Sequence, residues 1–152
     1  MDYSKVVEKV REFNRFYMPT MKLLGNQYLG SEYSVTEARV FFEIHEREGC
    51  NAAHIAAVMN IDKSYLSKIL AGHEKAGYLR REPSARDRRS YDLYLTEKGK
   101  ARAEELIQKS NDEIKAILGY LSEGERLQLA QALDTIMAVL QKGEGRDENR
   151  SV

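Results

Sequence analysis

Apolar residues recur at spacings of three and four through most of this chain, and they alternate only over two short stretches. Near the N-terminus, Val6, Val7, Val10, Phe13, Phe16 and Tyr17 keep helical spacing, which predicts a helical region from residue 3 to about 30. Pro19 is expected to kink or restart it, because an interior proline deletes a backbone hydrogen bond, and Gly25 and Gly30 frame its end. Further on, Val40, Phe41 and Ile44 mark one helix, Ile55, Ala56 and Met59 a second, and Leu66, Ile69 and Leu70 a third. Tyr78 to Glu82 and Tyr91 to Leu95 alternate as strands do, and YDLYL is rich in strand-favouring residues. Two helices with continuous apolar stripes follow, carrying Leu106, Ile107, Ile114, Ile117 and Leu118, then Leu127, Ala130, Leu133, Met137 and Leu140.

The boundaries of these elements carry their own chemistry. Ser34 and Glu37 have capping-box spacing, in which the serine caps a helix start and the glutamate reaches back. That helix is expected to run to about Glu48, with Gly49 ending it. Asn51 is a good cap for AAHIAAVM, Asn60 suits a tight turn in the left-handed region, and Asp62 caps the helix after it. Thr96 caps the first late helix, and Ser122 with Glu125 forms a second capping box. Residues 34–95 thus read as helix, turn, helix, then a hairpin whose connection is Pro83 to Ser90. A helix-turn-helix with an appended hairpin is a winged helix, and its second helix enters the DNA major groove N-terminus first.

Charge sharpens that picture. The chain of 152 residues is formally neutral, with 24 basic and 24 acidic residues. Residues 62–89, however, hold eight Lys/Arg against four Asp/Glu, a local net charge of +4. Positive charge gathered on one helix and one loop marks a surface that meets a polyanion, with DNA as the leading candidate. Lys63, Ser64, Tyr65, Ser67 and Lys68 lie on the polar side of the recognition helix, where they can reach bases and phosphates. Arg86, Arg88 and Arg89 crowd the loop and suit the negative potential of a minor groove. A 42% hydrophobic content supports a folded core, and no apolar run approaches the ~20 residues that span a bilayer. The N-terminus has no signal-peptide core, and a single cysteine suits a reducing cytosol.

With those residues in view, the sequence resembles the MarR family of transcriptional regulators from about Val10 to Leu140. The most specific part is ARDRRSYDLYLTEKGKA, in which Asp87 and Arg89 fall on the family's Asp-x-Arg wing motif. Leu95, Thr96 and Gly99 fall on its Leu-Thr-x-x-Gly helix start, and NAAHIAAVMNIDKSYLSKIL is similar to its helix-turn-helix. The resemblance implies an obligate homodimer, with about 3–33 and 96–143 as a helical dimerisation region around the winged-helix lobe at about 34–95. It also implies that Arg89 contacts the groove while Asp87 braces the loop by pairing with a nearby arginine. The N-terminal part resembles regulators fused to a GNAT acetyltransferase, although no such domain is expected in a chain that ends at Val152. Two departures stand out: Asn60 replaces a common turn glycine, and His73 stands where a leucine usually packs the recognition helix.

Several residues admit two readings. His73 is either a buried, hydrogen-bonded histidine or a pH- or ligand-coupled switch. Cys50 reads as a structural thiol, since no neighbouring cation obviously lowers its pKa. His45, His54 and His73 lack metal-ligand spacing, so no metal and no cofactor is expected. Tyr17, Met18, Met21, Tyr28 and Tyr33 form an aromatic and thioether-rich group that fits either core or dimer interface. The resemblance places an effector pocket where this segment passes, so Tyr17, Met21, Tyr28 and Tyr33 are candidates to bind a small phenolic or apolar molecule.

The expected protein is mainly α with a small β-hairpin wing, an α+β winged helix-turn-helix in one MarR-like domain, with a flexible tail over 144–152. The expected function is that of a cytoplasmic homodimeric repressor of a pseudo-palindromic operator, with double-stranded DNA as partner and its affinity set by a small effector. A winged-helix adaptor that binds protein instead is the alternative. An enzyme is not expected, because the chain shows no nucleophile–base pair, metal cluster or phosphate loop.

Overall fold

A computed structural model of the protein describes residues 1–144. The tail expected from residue 144 onward lies outside them, except for Glu144, where the last helix ends. The order of elements is α1 (Tyr3–Thr20), a 3-10 turn (Tyr28–Gly30), α2 (Val35–Glu46), α3 (Ala52–Met59), α4 (Lys63–Lys75), β1 (Leu79–Pro83), β2 (Tyr91–Leu95), α5 (Glu97–Leu118) and α6 (Glu123–Glu144). The fold is a winged helix, mainly helical with one antiparallel hairpin, as its periodicity predicts. The described residues divide into two compact units, Met1–Ile114 and a second from Lys115 onward.

In the first unit, the core joins α2, α3, α4, the hairpin and the start of α5. Phe41, Ile44, Ile55, Leu66, Leu70, Leu93 and Leu106 are all but inaccessible to solvent. Each contributes on the order of 1.5–3 kcal/mol through burial, so this cluster sets the position of every helix in the lobe. The capping residues read from the sequence all act. Ser34 and Glu37 close their box at 3.2 and 3.3 Å. Asn51 accepts from the His54 amide at 2.8 Å, and Asp62 from the Ser64 amide at 3.0 Å. Asn60 is left-handed at φ 50° and takes the turn between α3 and α4. Its own amide donates to Ala57 and that of Ile61 to Ala56, so the freed carbonyls of α3 are satisfied.

Three boundaries differ from the sequence reading. α1 stops at Thr20, so Pro19 lies in its last turn instead of kinking a longer helix. Lys22, at φ 54°, and Gly25, at φ 97°, carry the chain out of helical geometry beyond it. α2 ends at Glu46, two residues early, because the turn that follows is drawn into the sheet: the Gly49 amide donates to Leu93 O, and the Leu93 amide to Cys50 O, both at 2.8 Å. β1 begins at Leu79, one residue later than expected, in register with Leu95. The start of α5 depends on Gly99. A Cβ there would lie 2.0 Å from the Tyr78 carbonyl oxygen, which itself accepts from the Thr96 amide at 3.0 Å.

α1 buries none of its residues, and Val10 and Phe16 on its apolar stripe are 52% and 66% exposed. In the second unit, Ser122 and Glu125 form the expected capping box at the start of α6. Leu127, Met137 and Leu140 on α6 are exposed likewise.

Candidate nucleic-acid interface

α4 is amphipathic in a way that separates fixing from reading. Leu66, Ile69, Leu70 and His73 are buried, whereas Lys63, Ser64, Tyr65, Ser67 and Lys68 are all exposed. The sequence-predicted contact residues therefore share the open side of one rigid helix. Its C-terminus is closed by Gly77, left-handed at φ 83°, with the Gly77 amide on Glu74 O and the Tyr78 amide on His73 O. Arg81 of β1 pairs with Glu74 of α4 at 3.0 Å and ties the hairpin to the recognition helix.

The wing loop at 84–90 has almost no apolar packing and is ordered by hydrogen bonds instead. Its base is closed by the Ser84 amide donating to Ser90 O at 3.1 Å. The Ser84 hydroxyl oxygen, buried, accepts from the amides of Arg86 and Asp87 at 3.2 and 3.4 Å. The Asp87 carboxylate accepts from the Arg89 amide at 2.9 Å, and its carbonyl from the Ser90 amide at 3.1 Å. Asp87 thus pairs with a nearby arginine, Arg89, through that residue's backbone, and among the described residues its carboxylate forms no ion pair. Ser84 was missed as a positioning residue. A serine at each end of SARDRRS was the visible signal, but its meaning depends on the loop folding back onto itself.

Arg86 and Asp87 line a cleft of about 390 Å³ with Asn51 and His54, while Arg89 lines one of about 180 Å³ with Arg81 and Asn51. The wing arginines thus flank the start of α3. Among the described residues, Lys63, Lys68, Arg86, Arg88 and Arg89 take part in no ion pair, in contrast to Arg80 and Arg81 on the strand between them, which pair with Glu82 and Glu74. Cations left unneutralised on one helix and one loop are available to phosphates.

The candidate ligand residues are not equivalent. Tyr33 belongs to the core, at 9% exposure, with its ring 5.4 Å from both Phe41 and His73, and burial pushes its hydroxyl pKa up. Tyr28 is half-buried, with its hydroxyl 3.2 Å from that of Ser110 on α5. Tyr17 stacks on Phe13 at 5.1 Å, and Met21 ends α1 half-buried. Cys50 is buried and free, and burial pushes its thiol up, away from reactivity. No helix among the described residues is long and apolar enough to cross a membrane.

Comparison with known proteins agrees with this geometry. Residues 32–90, which span the helix-turn-helix and most of the wing, match the model of the MarR family. The chain is 25% identical over 138 residues to YfiV, an uncharacterized HTH-type transcriptional regulator of Bacillus subtilis, covering 88% of this chain and 86% of that one. Among solved structures, it is similar to a variant of E. coli MarR complexed with operator DNA, with TM-score 0.71 and 21% identity over 90% of this chain and 99% of that one. It is also similar to Streptococcus pneumoniae FabT in complex with DNA, with TM-score 0.67 and 20% identity over 93% and 99%.

Proposed function

We propose that the protein is a cytoplasmic MarR-family transcriptional regulator that binds a pseudo-palindromic operator as a homodimer and represses from it. The observation that carries this reading is the unpaired cationic side of α4 beside a hydrogen-bonded wing, a pairing of elements suited to major-groove reading with added backbone or minor-groove contact. The structural relatives solved with DNA support it. The exposed stripe of α1 and that of α6 each call for a cover, and a second copy of the chain supplies it. A dimer presents two recognition helices, hence half-sites about one helical turn, ~10 bp, apart. A small effector bound beside Tyr17, Met21 and Tyr28 would shift operator affinity by ~1–3 kcal/mol of coupling. Tyr33 serves such a site from behind, as core.

The test is a gel-shift titration against the DNA upstream of the protein's own gene at several salt concentrations, with light scattering on the same sample. A salt-dependent complex and a mass of twice 17.4 kDa are expected. A folded chain of single mass, or no salt-dependent complex, would favour a protein-binding adaptor.

A further inference from the structure

His73 is the one buried polar side chain of the described residues that can change charge near neutral pH, since the others, Ser31 and Ser84, are hydroxyls. It sits in the last turn of α4. Its Nε2 lies 3.0 Å from the carbonyl oxygen of Glu37 in the first turn of α2. A carbonyl only accepts, so Nε2 carries the proton and Nδ1 is bare in the neutral ring. Nδ1 has no hydrogen-bond partner among the described residues. The ring lies against the face of Phe41 at 4.0 Å between centroids and meets the ring of Tyr33 edge-on.

The charged and titratable groups around it are few. From α2 there is the Glu37 carboxylate, held on the Ser34 amide. Tyr33 comes from the segment before α2, and the Arg102 guanidinium of α5 covers that ring while pairing with Glu32 at 2.7 Å. After α4, Tyr78 lies against Phe41, with the Lys98 ammonium of α5 over its ring. On α4 itself, Glu74 is engaged by Arg81. Glu37 is the only one of these that favours an imidazolium, through its carbonyl and its carboxylate. A second proton, on Nδ1, would put a full charge on a ring that is only 4% exposed, and burial at that depth disfavours the charge even where the new N–H reaches solvent.

We propose that His73 is an acid-sensitive latch on the recognition helix: neutral, it ties the end of α4 to the start of α2, and protonated, it is expelled from the core and loosens the winged-helix lobe. Release of DNA in mild acid is the consequence, and that clause rests on the function proposed above. The direction of the effect follows from burial, which pushes His73 below its ordinary value of 6.5 and outweighs the help of the Glu37 carbonyl and carboxylate. The unfolded chain then takes up the proton before the folded one. Stability contributed by this group is full above about pH 6.5 and is lost as pH falls through that value toward the lower folded pKa.

The experiment follows denaturant unfolding and operator binding of the full chain from about pH 8 to about pH 5. It compares the parent with His73→Gln, which keeps an N–H for the Glu37 carbonyl but cannot be protonated. The parent should lose stability below about pH 6.5, and its operator affinity should fall ~3- to 10-fold by about pH 5.5. His73→Gln should stay level, or gain affinity as the surface becomes more positive, while His45→Gln keeps the parent's slope. Equal pH slopes in the parent and His73→Gln would overturn the latch. If His73→Gln does not fold, an NMR titration of the parent decides: a His73 ring titrating at its ordinary value, without change in α4, overturns the proposal, and a depressed value accompanied by loosening of α4 supports it. Acid loosening that depends on His73, in a chain that forms no salt-dependent DNA complex at any pH, supports the latch and overturns the DNA reading instead.

Discussion

The recognition helix and the wing offer similar side chains to the outside but are held by different forces. α4 is fixed by burial: Leu66, Ile69, Leu70 and His73 enter a core shared with α2, α3 and the hairpin. The wing is fixed by hydrogen bonds among Ser84, Asp87, Arg89 and Ser90, and only Ser84 is buried. Apolar burial is non-directional and additive over a large area, so it sets a helix firmly while leaving its opposite face free in sequence. A hydrogen-bonded loop has a small net stability per bond, ~0.5–1.5 kcal/mol, but its geometry is specific. On the function proposed above, the first arrangement suits an element that must be rigid to discriminate bases. The second suits one that can adjust to a phosphate or groove as DNA arrives.

The harshest way to break this contrast is to undercut α4 from below. Leu70 is 1% exposed, and Leu70→Ala should cost ~2–5 kcal/mol through lost burial and a residual cavity. Denaturant unfolding should show that loss directly. DNA binding by the remaining folded fraction should keep its salt slope, because no cation has been removed. A variant with parental stability and weakened DNA binding would place Leu70 at the interface and remove the division between buried and reading faces.

The same contrast explains what could be read in the sequence. Helix starts were legible because caps are local: Ser34 with Glu37, Asn51, Asp62, and Ser122 with Glu125 each act within three residues of themselves. The left-handed Asn60 was legible for the same reason. The end of α1 was not, because apolar spacing continues through Met18, Met21 and Leu24 while the backbone has already turned at Lys22. That residue is held by Glu113 of α5, at 2.5 Å, a partner no local window contains. Tyr33 could be placed in an aromatic group from sequence, but whether it faced a cavity or a core depended on Phe41 and His73, which belong to other elements. The wing arginines were legible as charge. The web that orders them was not, since it exists only once Ser84 and Ser90 meet.

A gentler change sharpens the contrast on the wing side. Arg89 is exposed, unpaired among the described residues, and lines the cleft beside Arg81 and Asn51. Arg89→Ala should leave unfolding unchanged and lower affinity for all operators together. The log–log dependence on salt should flatten by ~0.9, the release of about one counterion. Unequal losses across operator variants would instead make Arg89 a reader of sequence. Changes at Lys63, Ser64, Tyr65, Ser67 or Lys68 should reorder operator preference, as expected of major-groove contacts.

The smallest expected effect is the most discriminating, because its sign is at stake. Asp87 is an exposed carboxylate on a surface proposed to meet DNA, so removing it takes away a charge that repels phosphate. An exposed charge acts weakly through screened solvent, however, and its removal should gain only a few tenths of a kcal/mol. Against that stands the bond it accepts from the Arg89 amide at 2.9 Å, which holds the turn that presents both Arg88 and Arg89. Losing it costs about 1 kcal/mol of loop order that must be restored on binding. The two terms oppose each other, and the ordering term is larger. Asp87→Ala should therefore weaken operator binding ~2- to 3-fold, with stability nearly unchanged. Asp87→Asn keeps an oxygen acceptor while removing the charge, so it should bind at least as well as the parent. If Asp87→Ala instead binds more tightly than the parent, the wing acts as a patch of charge, and its hydrogen-bonded geometry contributes nothing to DNA binding.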